Sequence, residues 1–154
     1  MSNLLTNGPI FLDLACGDRK SPGAVGLDIR PLDGVDIVHD LRRLPWPLPD
    51  AACHRILASH ILEHLPPDVV FAVMDECWRV MQTGGQLLVA MPYGASPRAL
   101  QDPSHYRCWT EVCPQYFDPQ YPLYQVYRPK PWKVELNEWH SVGDLNVIFS
   151  KVAL

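Results

Sequence analysis

The chain is short of several things that would have decided its class at once. No apolar run approaches the ~18 residues of a membrane-spanning helix, and the opening "MSNLLTNGP" has neither the basic head nor the long apolar core of an export signal. Positive charge is not in excess. The 13 Lys and Arg stand against 17 Asp and Glu, a net charge of -4, which removes the general attraction to phosphate backbones and anionic lipid. Five cysteines, Cys16, Cys53, Cys77, Cys108 and Cys113, are odd in number and include no C-x-x-C pair. Neither a disulfide framework nor a thiolate zinc site is indicated. A reduced, cytoplasmic protein is expected, with no membrane partner and with nucleic acid disfavoured.

Room for helices is scarce as well. The 154 residues suffice for one ordinary domain, burying roughly two thirds of the unfolded surface. The short apolar runs are 10–14 (IFLDL), 24–29 (AVGLDI), 35–39 (VDIVH), 55–58 (RILA) and 86–91 (QLLVAM). Continuous rather than alternating hydrophobicity predicts strands buried on both faces, hence a parallel sheet. Only seven residues, Asp18 to Ala24, separate Gly17 from Val25, and "IRPLDGV" after Asp28 is equally short. A five-residue strand is about 17 Å long and seven extended residues reach about 25 Å, so a parallel return is feasible only as a nearly extended loop. An antiparallel hairpin turning at "KSPG" is the alternative. One long helix is predicted in "PPDVVFAVMDECWRVMQTGG": Val69, Val70, Val73, Met74, Cys77, Trp78 and Met81 recur at three and four residues, with prolines in the first turn and Gly84 and Gly85 as a stop. "WKVELNEW" and "LNVIFSKV", joined by "HSVGD", read as a hairpin.

Three acids end three successive predicted strands: Asp13 in "LDLACG", Asp28 in "GLDI" and Asp40 in "VHDL". In an open parallel sheet, ligands bind beyond the carboxyl ends of the strands, so these acids converge on one crevice. The set suits a nucleoside. Ala15 and Gly17 are small enough for close backbone approach, one acid can accept ribose hydroxyls, and the next can accept the amino group of adenine. A dinucleotide fingerprint fits less well, because G-x-G-x-x-G is incomplete and Asp28 comes too early for it. Asp13 is read equally as a ligand contact and as an acid that orders the neighbouring turn.

The stretches "FLDLACG", "VGLDI", "DIVHDLRRLPWPLPDAACHRILASHILEHL" and "DECWRVMQTGGQLLVAMP" together resemble the class I S-adenosylmethionine-dependent methyltransferases, in particular the small type 11-like group. The resemblance implies a compact α/β, Rossmann-like sheet, mostly parallel, with a C-terminal antiparallel hairpin and reduced helix content. It implies S-adenosylmethionine as cofactor. Ala15, Cys16 and Gly17 would face the methionine moiety, and Asp13 is counted with the cofactor-binding residues. Asp28 and Ile29 would hold the ribose, Asp40 and Leu41 would read adenine, and Ser59 and His60 would line the methionine and acceptor side. Two departures stand out: Arg19 occupies a position that is often glycine in the family, and His54 one that is usually acidic. The chain is expected to be a single domain over 1–154, with a cofactor half (1–92), a Pro- and aromatic-rich acceptor segment (93–132) and a C-terminal hairpin (133–154).

The remaining motifs concern the acceptor. His105, in "QDPSHYRCWTEVCPQYF", follows the fifth strand and is the first candidate for a proton acceptor, with His60 the second. "HILEH", residues 60–64, matches H-x-x-E-H, but that zinc signature needs both histidines on one helix face, and His60 follows a strand. Glu63 and His64 are therefore read as orienting the loop into the long helix, and no metal site is expected. Eight of the fifteen aromatics fall between Tyr106 and Trp132, either as a cover for the sheet or as a pocket for a small-molecule acceptor. Two rivals to the enzyme reading stay open: a module that binds the cofactor without turnover, and an interaction subunit with a vestigial site. Because two crossover helices are missing, one sheet face lacks its cover. The aromatic segment or a second copy in a homodimer could supply it, and the dimer is preferred because connections stay short.

Overall fold

The computed structural model describes residues 8–153; "MSNLLTN", part of the stretch read above for an export signal, lies outside them. Seven strands form one sheet: β1 (Ile10–Leu14), β2 (Val25–Asp28), β3 (Ile37–Val38), β4 (Cys53–Ser59), β5 (Met81–Pro92), β6 (Trp132–Trp139) and β7 (Asp144–Lys151). Their order is β3-β2-β1-β4-β5-β7-β6. The first five run parallel, and β7 is inserted antiparallel between β5 and β6. The expected fold class and the C-terminal hairpin are both present. β3 is shorter than its apolar run, because only Ile37 and Val38 pair with β2.

The opening crossover is a loop and the return is parallel, with Leu12 opposite Val25 and Leu14 opposite Leu27; the hairpin alternative is excluded. With no helix to satisfy the connecting backbone, acids do so. Asp13 Oδ2 accepts the Ser21 amide at 2.8 Å, and Asp36 Oδ2 accepts the Gly26 amide and the Lys20 ammonium, both at 2.7 Å.

The long helix α1 spans Pro67–Val80 and buries Val70, Val73, Met74, Cys77 and Val80 against the sheet. Its end corrects the expected glycine stop. Met81 is already extended and pairs with Cys53, while Gly84 and Gly85 lie in the bulged start of β5. Glycine is required at residue 85 for space: a Cβ there would stand 2.9 Å from the His54 carbonyl oxygen.

The same face carries the rest of the cover. Trp46 and Leu48, in the loop after β3, are buried, and the Trp46 amide donates to Glu76 of α1 at 2.6 Å. Two further short helices, α2 (Arg98–Gln101) and α3 (Tyr124–Tyr127), belong to the proline-rich segment. Its aromatics pack against α1 and β7, with Phe117 5.2 Å from Phe71 and 6.0 Å from Phe149 between ring centres, and Trp132 also 6.0 Å from Phe149. The segment therefore covers the face that α1 already covers. It does not take over the opposite face, where Leu57, Leu88, Ile148 and Leu136 form one cross-strand row and stay half-buried. Among the described residues no helix is long and apolar enough to cross a membrane.

Candidate active site

The carboxyl ends of β1, β2 and β3 open into a cleft of about 190 Å³ bordered by Ala15, Asp28, Asp40, Leu41, His64 and Tyr106. Of the sequence-predicted cofactor residues, Ala15, Asp28, Ile29, Asp40 and Leu41 line it; Asp13, Cys16, Gly17 and Ser59 stand outside its wall. Sequence reasoning missed His39, Arg42, Ile61, His64, Leu65, Pro66 and Tyr106. Four of these, His39, Arg42, Ile61 and Tyr106, adjoin residues already singled out, and His64 was read only as orienting the loop into the long helix.

Asp28 ends β2 and is only 3% exposed. Its Oδ2 accepts the Gly17 amide at 2.9 Å, and its Oδ1 accepts the Arg30 amide at 2.8 Å and the Arg30 guanidinium at 3.3 Å. Burial pushes its pKa up, but those amides and the guanidinium outweigh burial and hold the carboxyl below its ordinary range. A carboxylate offers about four acceptor positions, so Oδ2 retains capacity for a hydroxyl. The long bond from exposed Arg30 can be displaced by a second. Gly17, at φ +57°, adopts the left-handed turn that aims its amide at Asp28. Ala15, at φ +52°, takes the same conformation at the cleft wall.

Asp40 is held by Arg42 in a two-pronged pair, Nε to Oδ1 at 2.9 Å and Nη2 to Oδ2 at 2.7 Å. That hydrogen-bonded guanidinium lowers its pKa to about 2. Leu41 is buried, and its carbonyl receives the Trp46 indole N–H at 3.1 Å. A nucleoside with vicinal hydroxyls and an exocyclic amine fits this donor and acceptor set: charged acceptors at two successive strand ends and an apolar wall of Ile29, Leu41 and Ile61 between them.

The other half of the rim is built from β4 and the loop after β5. His60 follows β4 with φ +52°, its amide donates to the Ala90 carbonyl at 2.8 Å, and both it and His105 stand outside the residues that border the cleft. A short 3-10 turn, Leu62–His64, follows. Glu63 is fully buried. His60 Nδ1 stands 3.3 Å from Glu63 Oε1, and the nearby carboxylate raises the imidazole pKa. The contact lacks hydrogen-bond alignment, so neither Glu63 oxygen has a hydrogen-bond partner among the described residues. His105 donates from Nδ1 to the Ala99 carbonyl at 3.0 Å and packs edge-on against His64, ring centres 4.8 Å apart. The Tyr106 amide donates to the Glu63 carbonyl at 2.7 Å, which ties the two loops together. A second cleft, between α1 and the aromatic segment, is bordered by Phe71, Arg107, Trp109, Tyr116 and Tyr127, and shares Leu65 with the first. The aromatic segment thus both covers the sheet and lines a cleft.

The fold is similar to that of solved methyltransferase structures. A family model described as a methyltransferase domain matches residues 23–89. A SAM-dependent methyltransferase from Archaeoglobus fulgidus superposes with a TM-score of 0.68 at 17% identity, over 96% of this chain and 88% of its own. The Burkholderia thailandensis 1,6-didemethyltoxoflavin-N1-methyltransferase, solved with 1,6-didemethyltoxoflavin and S-adenosylhomocysteine, gives 0.66 at 14% identity, over 95% and 72%. A putative methyltransferase of Haloferax volcanii, in complex with the Trm112 methyltransferase activator, gives 0.67 at 13% identity, over 95% and 84%. No curated protein sequence matches. The resemblance read from the sequence is borne out in the family match, and the class I methyltransferase fold in the superpositions.

Proposed function

We propose that the chain transfers the methyl group of S-adenosylmethionine to an oxygen or nitrogen of a small-molecule acceptor. The observation that carries this reading is Asp28, a buried carboxylate fixed by two backbone amides at the second strand end, with acceptor capacity directed to a cleft. The cofactor supplies a methyl group on a positively charged sulfur, ready for in-line displacement. The chain's own work is to hold two reactants in line, which removes much of the entropic barrier. Asp28 accepts the ribose hydroxyls, Asp40 accepts the adenine amine beside Leu41, and Ala15 to Gly17 border the methionine.

On the acceptor side, His60 has its Nδ1 turned to Glu63 and its Nε2 free to take the acceptor proton. His105 flanks it on the same side of the rim, with Nδ1 already committed to Ala99. The chemistry of the second cleft, aromatic with one guanidinium from Arg107, suits a flat acceptor bearing a negative or polar edge.

Calorimetry with S-adenosylmethionine and S-adenosylhomocysteine tests the assignment. Asp28→Ala, folded by circular dichroism, is expected to lose at least tenfold in affinity, the equivalent of about 1.5 to 3 kcal/mol for a hydrogen bond to a charged group. Unchanged affinity removes the cofactor reading. The homodimer belongs to the same proposal, since the row Leu57, Leu88, Ile148 and Leu136 is not covered by the aromatic segment. Light scattering at micromolar concentration is expected to give twice 17.5 kDa, and a monomer overturns the dimer.

A further inference from the structure

The least satisfied group in the described protein is Glu63. It is 0% exposed, and neither carboxylate oxygen has a hydrogen-bond partner among the described residues. A buried carboxyl left in that state is costly, and proteins retain one only when it is paired or holds a cation; its one contact of ion-pair length is His60 Nδ1, 3.3 Å from Oε1 and outside hydrogen-bond alignment. Around it stand imidazoles. Glu63, His64 and His105 offer ligand atoms that all lie within 4.8 Å of one another, although 105 is far from 63 and 64 in sequence and arrives from the loop after β5.

The proton positions of the two rings follow from their outer partners. Ser104 Oγ donates its one hydrogen to Asp102 Oδ1 at 2.6 Å. Toward His64 Nδ1, 3.0 Å away, it can therefore act only as acceptor. His64 Nδ1 thus carries a proton, and Nε2 carries a lone pair when the ring is neutral. His105 Nδ1 faces the Ala99 carbonyl at 3.0 Å, which also only accepts, with the Cys108 thiol a longer 3.6 Å contact to the same nitrogen; the closer carbonyl takes the Nδ1 proton, so Nε2 is left with a lone pair in the same way. This outer arrangement, in which each imidazole gives its other N–H to a carbonyl or a carboxylate-backed hydroxyl, is the one that orients histidines for metal ligation.

We propose that Glu63, His64 and His105 bind one divalent transition-metal ion at the acceptor edge of the cleft. Two imidazoles and a carboxylate favour zinc, cobalt or manganese over magnesium and calcium, which take oxygen-rich shells. Three protein ligands leave coordination positions open, and His64 belongs to the cleft wall. The sequence objection to "HILEH" as a helix-borne zinc signature still holds, because Leu62–His64 is a 3-10 turn. The site differs from that signature in taking its third ligand from "DPSH". Asp102 and Ser104 of that phrase serve as the outer partners of His64. Metal binding needs neither cofactor nor turnover, so it stands or falls apart from the methyl-transfer reading.

The test is direct. The purified chain is stripped with a chelator, dialysed, loaded separately with zinc, cobalt, manganese and magnesium chlorides, desalted, and assayed by elemental mass spectrometry. One equivalent of zinc, cobalt or manganese and none of magnesium is expected, with a visible cobalt absorption band and a raised melting temperature in the loaded form. Glu63→Gln, close in shape, and His105→Ala are each expected to abolish stoichiometric retention. Ser104→Ala, which keeps all three ligands, is expected to weaken affinity 10- to 100-fold. His54→Ala, at the opposite end of β4, is the control and should retain the ion. Failure of the wild-type chain to hold any of the three transition metals overturns the site. So does equal retention by folded Glu63→Gln and His105→Ala.

Discussion

Asp28 and Glu63 are carboxylates of the same sheet rim, 3% and 0% exposed, and their surroundings are opposite. Asp28 collects two amides and a guanidinium from its own chain, whereas the Glu63 carboxylate has no hydrogen-bond partner among the described residues and three imidazoles for company. The difference follows from the local backbone. Asp28 is flanked by the Ala15–Gly17 turn, whose left-handed residues point an amide inward, while Glu63 sits in a single 3-10 turn and no backbone amide of the described residues reaches its carboxylate. A carboxylate whose charge is balanced by fixed amides is suited to neutral hydroxyl donors. One that is desolvated without such balance is suited to a cation, and the proposed division of the rim into a cofactor half and an acceptor half follows that line.

The largest expected effect separates the halves by kinetics. His60→Ala should lower turnover by about 10²- to 10⁴-fold with cofactor affinity nearly unchanged in calorimetry; equal losses in both would make the β4 end part of the cofactor site and erase the division. Within the nucleoside half, Asp40→Ala should weaken cofactor binding less than Asp28→Ala, because Asp40 is already paired with exposed Arg42. The same calorimetric series ranks them, and an inverted order would move the ribose contact one strand along.

The smallest expected effect is on acid stability. The Asp40 pKa is about 2 in the folded chain against an ordinary value of 3.8. A depressed carboxylate contributes stability that is fully present above the unfolded value and is lost as pH falls through the folded one. Wild type should therefore exceed Asp40→Asn in urea unfolding above about pH 4, with the gap closing toward pH 2. A gap that persists at pH 2 would assign the effect to packing. The magnitude should be modest, since Arg42 is solvent-exposed and screening weakens surface pairs.

Much of the nucleoside half was legible from the chain because its determinants are local. Five short apolar runs define five strands, and the acids at 13, 28 and 40 fall at or just beyond their carboxyl ends by counting alone. Asp28 could be assigned its place from "VGLDI" without any tertiary information. Asp13 could not, and only the structure shows it accepting the Ser21 amide of the crossover loop. The end of α1 also escaped, since Met81 continues the apolar helical spacing and leaves the helix only because Cys53 pairs with it.

The acceptor half was legible in its parts and not in its assembly. "HILEH" and "DPSH" were each visible, but 41 positions separate His64 from His105, and no periodicity links them. By itself the sequence determined the strand set, the acids near the strand ends and the lack of room for the first two crossover helices, because these rest on hydrophobic patterning and short-range steric rules. Which sheet face the aromatic segment covers, the parallel return of the first loop and the meeting of Glu63, His64 and His105 were decided by tertiary structure. Those outcomes depend on strand pairing and on the burial of Phe117 and Trp132 against Phe149, contacts between residues that the chain order keeps apart.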